Sequence, residues 1–289
     1  MSQKISIRFY NDREVRAVWS EEQGEWFFAI VDIITAITGS ESPRKYWSVL
    51  KTRLKRQGNE LATNCSQLKL MAADGKRYNT DCIAMSKVSD LAKVIPSKTA
   101  MDFLDWLMYA DNTIDGQSRQ KAYTLFDGNL LDSIPVGTVA GLQQIHAYLF
   151  SGIFAFAGKI RQKTISKGGF TFCVAQYLPQ QLQLVERMPE TTFDEIVDKY
   201  VEMNIAHPFM EGNGRSTRIW LDLIFKRSLK KCVDWSKINK NDYLQAMTLS
   251  VADSSRIKAL LAGALTDDIT SREMFMKGID YSYYYEQEN

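Results

Sequence analysis

Polar and apolar residues alternate along Lys4–Tyr10, which is the pattern of a strand with one buried face. Asn11-Asp12 marks a turn, Val15–Trp19 a returning strand, Glu21–Gly24 a second turn and Glu25–Ala29 a third strand. Asp32 then precedes Ile33, Ile34, Ala36 and Ile37, a short amphipathic helix stopped by Gly39. Ser42-Pro43 opens the next helix, with proline where the missing N–H costs nothing. Lys69–Met71, Tyr78 and Ile83–Met85 predict further strands around the Asp74-Gly75 turn. Ser89–Val94 and Ala100–Met108 read as helices separated by Pro96. Asp111–Gln120 is polar, carries Gly116 and reads as a linker.

Beyond it the period changes. Val139, Leu142, Ile145, Leu149, Ile153 and Phe156 predict one long helix over Val136–Ala157, ended by Gly158. A strand-like run from Gly158 to Ser166, the turn Lys167-Gly168-Gly169 and the alternating Phe170-Thr171-Phe172 predict a hairpin. Helices follow over Gln180–Met188, Phe193–Ala206, Ser216–Phe225, Asn239–Met247, Ser255–Gly263 and Arg272–Met276. The pattern is an α+β domain over residues 1–110, a linker over 111–120 and a mostly α-helical domain over 121–289.

Composition narrows the class. Hydrophobic residues make up 45% of 289, enough for real cores, and the net charge of +2 gives no global field for nucleic acid. Four scattered cysteines without CxxC spacing argue against structural zinc and a disulfide framework. No apolar run approaches ~20 residues, so no membrane span is expected. The start of the chain lacks a signal-peptide core, which points to the cytoplasm. Charge is local instead. Between Pro43 and Gly58 there are six basic residues (Arg44, Lys45, Lys51, Arg53, Lys55 and Arg56) and no acidic one. With Tyr46 and Trp47 interleaved, this helix suits a nucleic-acid backbone; it equally suits a solvated helix that packs Trp47, Leu50 and Leu54 inward.

The chemistry concentrates at His207–Arg218, HPFMEGNGRSTR. Gly212-Asn213-Gly214 lies at a helix start, where backbone N–H groups form a nest for an anion. Arg215 and Arg218, three apart, present two guanidinium forks near that first turn. Glu211 offers hard oxygen to Mg²⁺, which travels with phosphates. His207 alone here has an ordinary pKa suited to a general base near neutrality. Base, metal ligand and phosphate clamp together read as nucleotidyl or phosphoryl transfer. Taken singly, each piece also fits an ordinary turn or a solvated helix face. His146, the other histidine, falls among apolar neighbours and reads as a packed structural residue.

This stretch resembles the HPFx[D/E]GNGRxxR signature of Fic-domain enzymes at every specified position. The resemblance covers roughly residues 120–289. It implies transfer of AMP from ATP-Mg²⁺ to a Tyr, Thr or Ser hydroxyl of a target protein, with Asn213 helping to form the anion hole. It makes the hairpin a flap that aligns the target by strand addition, with Lys167, Gly168, Gly169 and Phe170 on the nucleotide side. The end of the chain, SYYYEQ, resembles the inhibitory motif [S/T]xxxE[G/N], with Gln287 departing from it. That implies an inhibitory helix about 279–289, in which Ser282 and Glu286 share a face and Glu286 pairs with Arg218 as a bidentate fork. Relatives that move phosphate, UMP or phosphocholine leave the transferred group open. A surface that regulates the last helix would suit a homo-oligomer. Residues 1–110 loosely resemble the Bro N-terminal domain of phage antirepressor-like proteins, through the order strand, WFFAIVDI and basic helix. That family is associated with DNA, which adds a second reading: a DNA-binding regulator with the Fic part as a switch.

Overall fold

A computed structural model describes residues 4–72, 74–127 and 130–287. Two compact units divide the chain between Thr113 and Ile114.

The first unit is built on an antiparallel sheet. Strands β1 (Ile5–Tyr10), β2 (Arg13–Ser20) and β3 (Glu25–Ala29) are followed by helices α1 (Ile30–Thr38) and α2 (Pro43–Arg56). Strands β4 (Ser66–Met71) and β5 (Arg77–Ala84) and helices α3 (Val88–Val94) and α4 (Ala100–Tyr109) complete it. The strand order is β1-β2-β3-β5-β4. Asn11 and Asp12, both at positive φ, close the first hairpin on the pair Tyr10–Arg13. Helix α1 buries Ile33, Ile34 and Ile37 completely or nearly so. Its Asp32 takes a forked pair from Arg16, at 2.7 and 2.8 Å, which pins the helix to β2. On α2, Trp47, Leu50 and Leu54 are buried, while Arg44, Lys45, Arg53, Lys55 and Arg56 are exposed. Lys51 leaves that basic face to pair with Asp81 at 2.6 Å.

The second unit is helical. Its elements are α5 (Ile114–Asp127), α6 (Val139–Phe150), the short pair β6 (Ser166–Lys167) and β7 (Phe170–Thr171), α7 (Leu178–Arg187), α8 (Phe193–Ala206) and α9 (Asn213–Leu229). Then come β8 (Cys232–Val233), α10 (Lys240–Leu249), α11 (Ser255–Ala264), β9 (Leu265–Thr266) and α12 (Arg272–Glu286). Helix α9 is central and packs against α6, α8 and α12. Trp220, Leu221, Ile224 and Phe225 of α9 are wholly buried. A Thr192–Glu195 capping box starts α8, and His207, in the left-handed region at φ 48°, ends it.

Three expectations need correction. The stretch 111–120 is not a linker, because most of it is the first half of α5. Its buried face is made of Gly116, Ser118 and Arg119, so no apolar period announced it. The helix expected over Val136–Ala157 covers only Val139–Phe150. Gly152 and Gly158 take positive φ and turn the chain, and the apolar spacing survives because Phe150, Phe154 and Phe156 stack on one another in those turns. The hairpin arms are two residues each rather than a long strand from Gly158. Arg161 ties that approach to neighbouring carbonyls instead. In contrast, Arg272–Met276 and Ser282–Glu286 fall in one continuous α12. Glu288 and Asn289, included in the expected inhibitory helix, lie outside the described residues.

Candidate active site

A cleft of about 580 Å³ opens over the start of α9. Lys167, Gly168, Phe170, His207, Glu211, Gly212, Asn213, Gly214, Arg218 and Glu286 line it. Gly169, Arg215 and Ser282 do not.

His207 sits where α8 ends, and its left-handed backbone swings the ring into the cleft. Nδ1 lies 3.2 Å from the Asn204 carbonyl. A carbonyl only accepts, so Nδ1 carries the proton and Nε2 keeps a free lone pair. The ring stacks on Phe172, with centroids 3.7 Å apart. Burial pushes its pKa down to about 4, against smaller upward pulls from the Asn204 carbonyl and Glu286. The imidazole is therefore neutral at pH 7 and free to accept a proton.

The turn before α9 is rigidly supported. Gly212 is the N-cap at φ 80°, and a side chain there would strike the Phe150 ring. The Asn213 side chain accepts from the Phe209 N–H and donates to the Phe209 carbonyl, both at 2.8 Å. The Asn213 side chain thereby braces the loop, while its residue opens α9 at the cleft. The first N–H groups of α9 have no partner within the helix, which leaves the backbone to hold an anion. His146 supports the same turn from behind. It is fully buried, stacks on Phe209 at 3.8 Å and donates from Nε2 to the Glu211 carbonyl at 2.8 Å. Its Nδ1 accepts from the Gly158 N–H at 2.9 Å, so the ring must be neutral. Burial takes its pKa to about 4. The structural role expected for His146 is what the geometry has.

Arg215 differs from its expected role as a phosphate clamp. It is buried beside the Phe150 and Tyr283 rings, 5.2 and 5.5 Å away. Its Nη1 pairs with Asp115 of α5 and its Nη2 with Glu211 at 3.0 Å. The guanidinium orients Glu211 rather than facing the cleft. The Glu211 side chain is 58% exposed, and the one oxygen that takes Arg215 also accepts from the Gly212 N–H.

Arg218 is almost completely buried and fully engaged. Nε donates to the Ser282 hydroxyl and Nη2 to the Ser282 carbonyl, both at 2.7 Å; Nη2 also reaches Glu286 at 2.5 Å. Nη1 donates to the Tyr243 hydroxyl at 3.1 Å, and the Tyr243 and Tyr285 rings flank the guanidinium. The expected fork with Glu286 is thus a single bond, with Ser282 and Tyr243 taking the other donors. Glu286 lies against Gly214 as well as Arg218. Burial alone would raise its pKa, but Arg218 outweighs that and keeps it ionised. A carboxylate therefore stands at the helix N-terminus, a place that suits an anion.

Sequence reasoning missed Asp115, Arg161, Phe172 and Tyr243. None stands in a motif, and each reaches the site only because the fold returns it there.

A helical domain brings a histidine from the end of α8 and the glycine turn and buried arginine of α9 to one cleft, and known proteins share part of this chain. The Fic/DOC family model matches residues 137–225. Over 147 residues the chain is 29% identical to protein adenylyltransferase VbhT of Bartonella schoenbuchensis, covering 46% of this chain and 30% of that protein. Over 140 residues it is 26% identical to probable protein adenylyltransferase y4lH of Sinorhizobium fredii, covering 44% of this chain and 72% of that protein. Among solved structures, BepC of Bartonella tribocorum aligns with a TM-score of 0.46 and 19% identity, over 54% of this chain and 87% of that one.

Proposed function

We propose that this chain is a protein adenylyltransferase, held back by its own Glu286. The carrying observation is that His207, whose Nδ1 is taken up by the Asn204 carbonyl, the N-terminus of α9 and Arg218 all line one cleft. The names of the curated relatives support AMP as the transferred group. The phosphates of ATP lie over the Gly212–Gly214 backbone. A Tyr, Thr or Ser hydroxyl of the target lies along the hairpin, opposite His207, while Lys167, Gly168 and Phe170 cover the nucleotide. The hydroxyl oxygen bonds to the α-phosphorus, His207 Nε2 takes its proton, and the bond to the β-phosphate oxygen breaks to release pyrophosphate. Positioning and backbone dipoles supply most of the rate.

The donor set fits Mg²⁺. Among the described residues no cluster of three or more His, Cys, Asp or Glu could hold a metal alone. Mg²⁺ beside phosphates asks for only one or two carboxylates, and one Glu211 oxygen is engaged by Arg215 and the Gly212 N–H. The other oxygen would hold the ion, which supplies charge neutralisation to the phosphates.

Arg218 is the natural partner of the γ-phosphate, but Glu286 and Ser282 occupy its donors. The carboxylate and the phosphate compete for the same positive charge, so the resting chain is expected to transfer slowly. Labelled nucleotides discriminate the transferred group in the Glu286→Gly protein. Protein labelled from α-labelled but not γ-labelled ATP means AMP transfer. Label from the γ position means phosphoryl transfer, and label from UTP alone means UMP transfer; either would overturn the adenylyl reading.

A further inference from the structure

Arg161 lies ahead of the hairpin, outside the cleft, and is 4% exposed. Its guanidinium donates to four backbone carbonyls. Nε reaches His207 at 2.7 Å, Nη1 reaches Lys163 at 2.6 Å, and Nη2 reaches Ala206 at 3.0 Å and Cys173 at 2.5 Å. Its own N–H donates to the Pro208 carbonyl at 2.9 Å. Lys163 precedes the hairpin, Cys173 follows it, and residues 206–208 form the turn that carries the base.

Two more contacts tie the same pieces. The Cys173 N–H donates to the Ile205 carbonyl at 3.1 Å. Phe172, just after the returning arm, lies face to face with the His207 ring, the planes 15° apart. The segments that flank the hairpin on either side and the histidine turn therefore meet at one side chain. Burying a cation is costly, and burial lowers the Arg161 pKa. None of the four acceptors is a carboxylate, so charge pairing with them does not offset that cost. What the planar fork supplies is geometry: several donors fixed in one plane, which a lysine cannot reproduce.

We propose that Arg161 is a positioning residue that sets the register of the hairpin against the His207 turn. An acceptor hydroxyl laid along the hairpin is thereby delivered to Nε2 of His207. This rests on the adenylyl-transfer reading above.

The test uses the full chain carrying Glu286→Gly, with Arg161→Lys or Arg161→Met added. Transfer of α-label to protein should fall at least about tenfold while the affinity for a fluorescent ATP analogue with Mg²⁺ stays within about twofold, since a misplaced base slows transfer while the α9 turn proposed to hold the phosphates keeps its place. Arg161→Lys that binds the analogue and transfers at the parental rate overturns the proposal, whatever its melting temperature. Should Arg161→Met fail to fold, the lysine variant decides.

A second readout is independent of activity. The chain has two histidines, so both imidazole signals can be followed by NMR and assigned by substitution. In Arg161→Lys the His207 ring signal and the amides from Lys163 to Cys173 should shift together. A hairpin that shifts while His207 stays, or the reverse, overturns the coupling. If the Glu286→Gly parent labels nothing, the adenylyl reading fails by itself and the spectra still decide whether Arg161 links the two segments.

Discussion

Among single residues, the two histidines carry the clearest consequences. Both have pKa values pushed to about 4 by burial, yet they do different work. His207 keeps a free lone pair on the cleft, whereas His146 spends both nitrogens on the backbone of the loops it braces. His146 makes stability depend on pH. Its unfolded form titrates near 6.5 and its folded form near 4, so between those values the unfolded chain binds more protons. The contribution is complete above pH 6.5 and is lost as pH falls toward 4, by about 3 kcal/mol for this shift. Denaturant titrations from pH 8 to 4 should show that loss, and His146→Gln should flatten the slope while lowering stability at pH 7. An unchanged slope would mean that His146 does not titrate this way. At this scale the sequence was a good guide to the identity of the site. His207, Glu211, the Gly212–Gly214 turn and Arg218 were legible because one short motif holds them and all reach the cleft. The role of Arg215 was not legible, because its direction depends on Asp115, 100 residues earlier.

At the scale of elements, the last helix is the regulatory part in this account, and tyrosines hold it in place. The Tyr285 hydroxyl, 2.7 Å from the Trp235 carbonyl and 2.8 Å from that of Ile238, anchors the turn that carries Glu286. Tyr123 bonds Asp280 one turn further back. Tyr285→Phe should lower stability by about 1 kcal/mol. It should also raise basal transfer with Glu286 intact, because the helix end frays more often. Thermal melts and label incorporation would check this; a destabilised protein with unchanged basal transfer would show that release does not go through the helix end. Elements with a clear apolar period were legible in their limits to within a residue or two, as in α8 and the first three strands, whereas β4 and β5 were read only in part. Those that failed had a physical cause. The first half of α5 buries small and polar side chains, and the turns after Phe150 keep helical spacing of aromatics without helical backbone.

For the whole molecule, chemistry and surface charge fall in different units. The cleft residues all belong to the unit from Ile114 onward, and the exposed basic face of α2 belongs to the unit before it. Reversing Arg53, Lys55 and Arg56 to Glu should therefore leave label transfer unchanged. If α2 grips a nucleic-acid backbone, the same variant loses salt-sensitive retention on duplex DNA. Retention that is equal in parent and variant would set that role aside. The central claim is a transferase blocked by its own carboxylate. It is met most directly by incubating wild type, Glu286→Gly and Glu286→Gly with His207→Ala in α-labelled ATP, Mg²⁺ and a cell lysate. The account predicts protein label in the Glu286→Gly sample, at least about tenfold above wild type, consistent with one γ-phosphate contact being freed, and background label in the double variant. Equal label in wild type and Glu286→Gly would contradict the block, and label that survives His207→Ala would contradict the base.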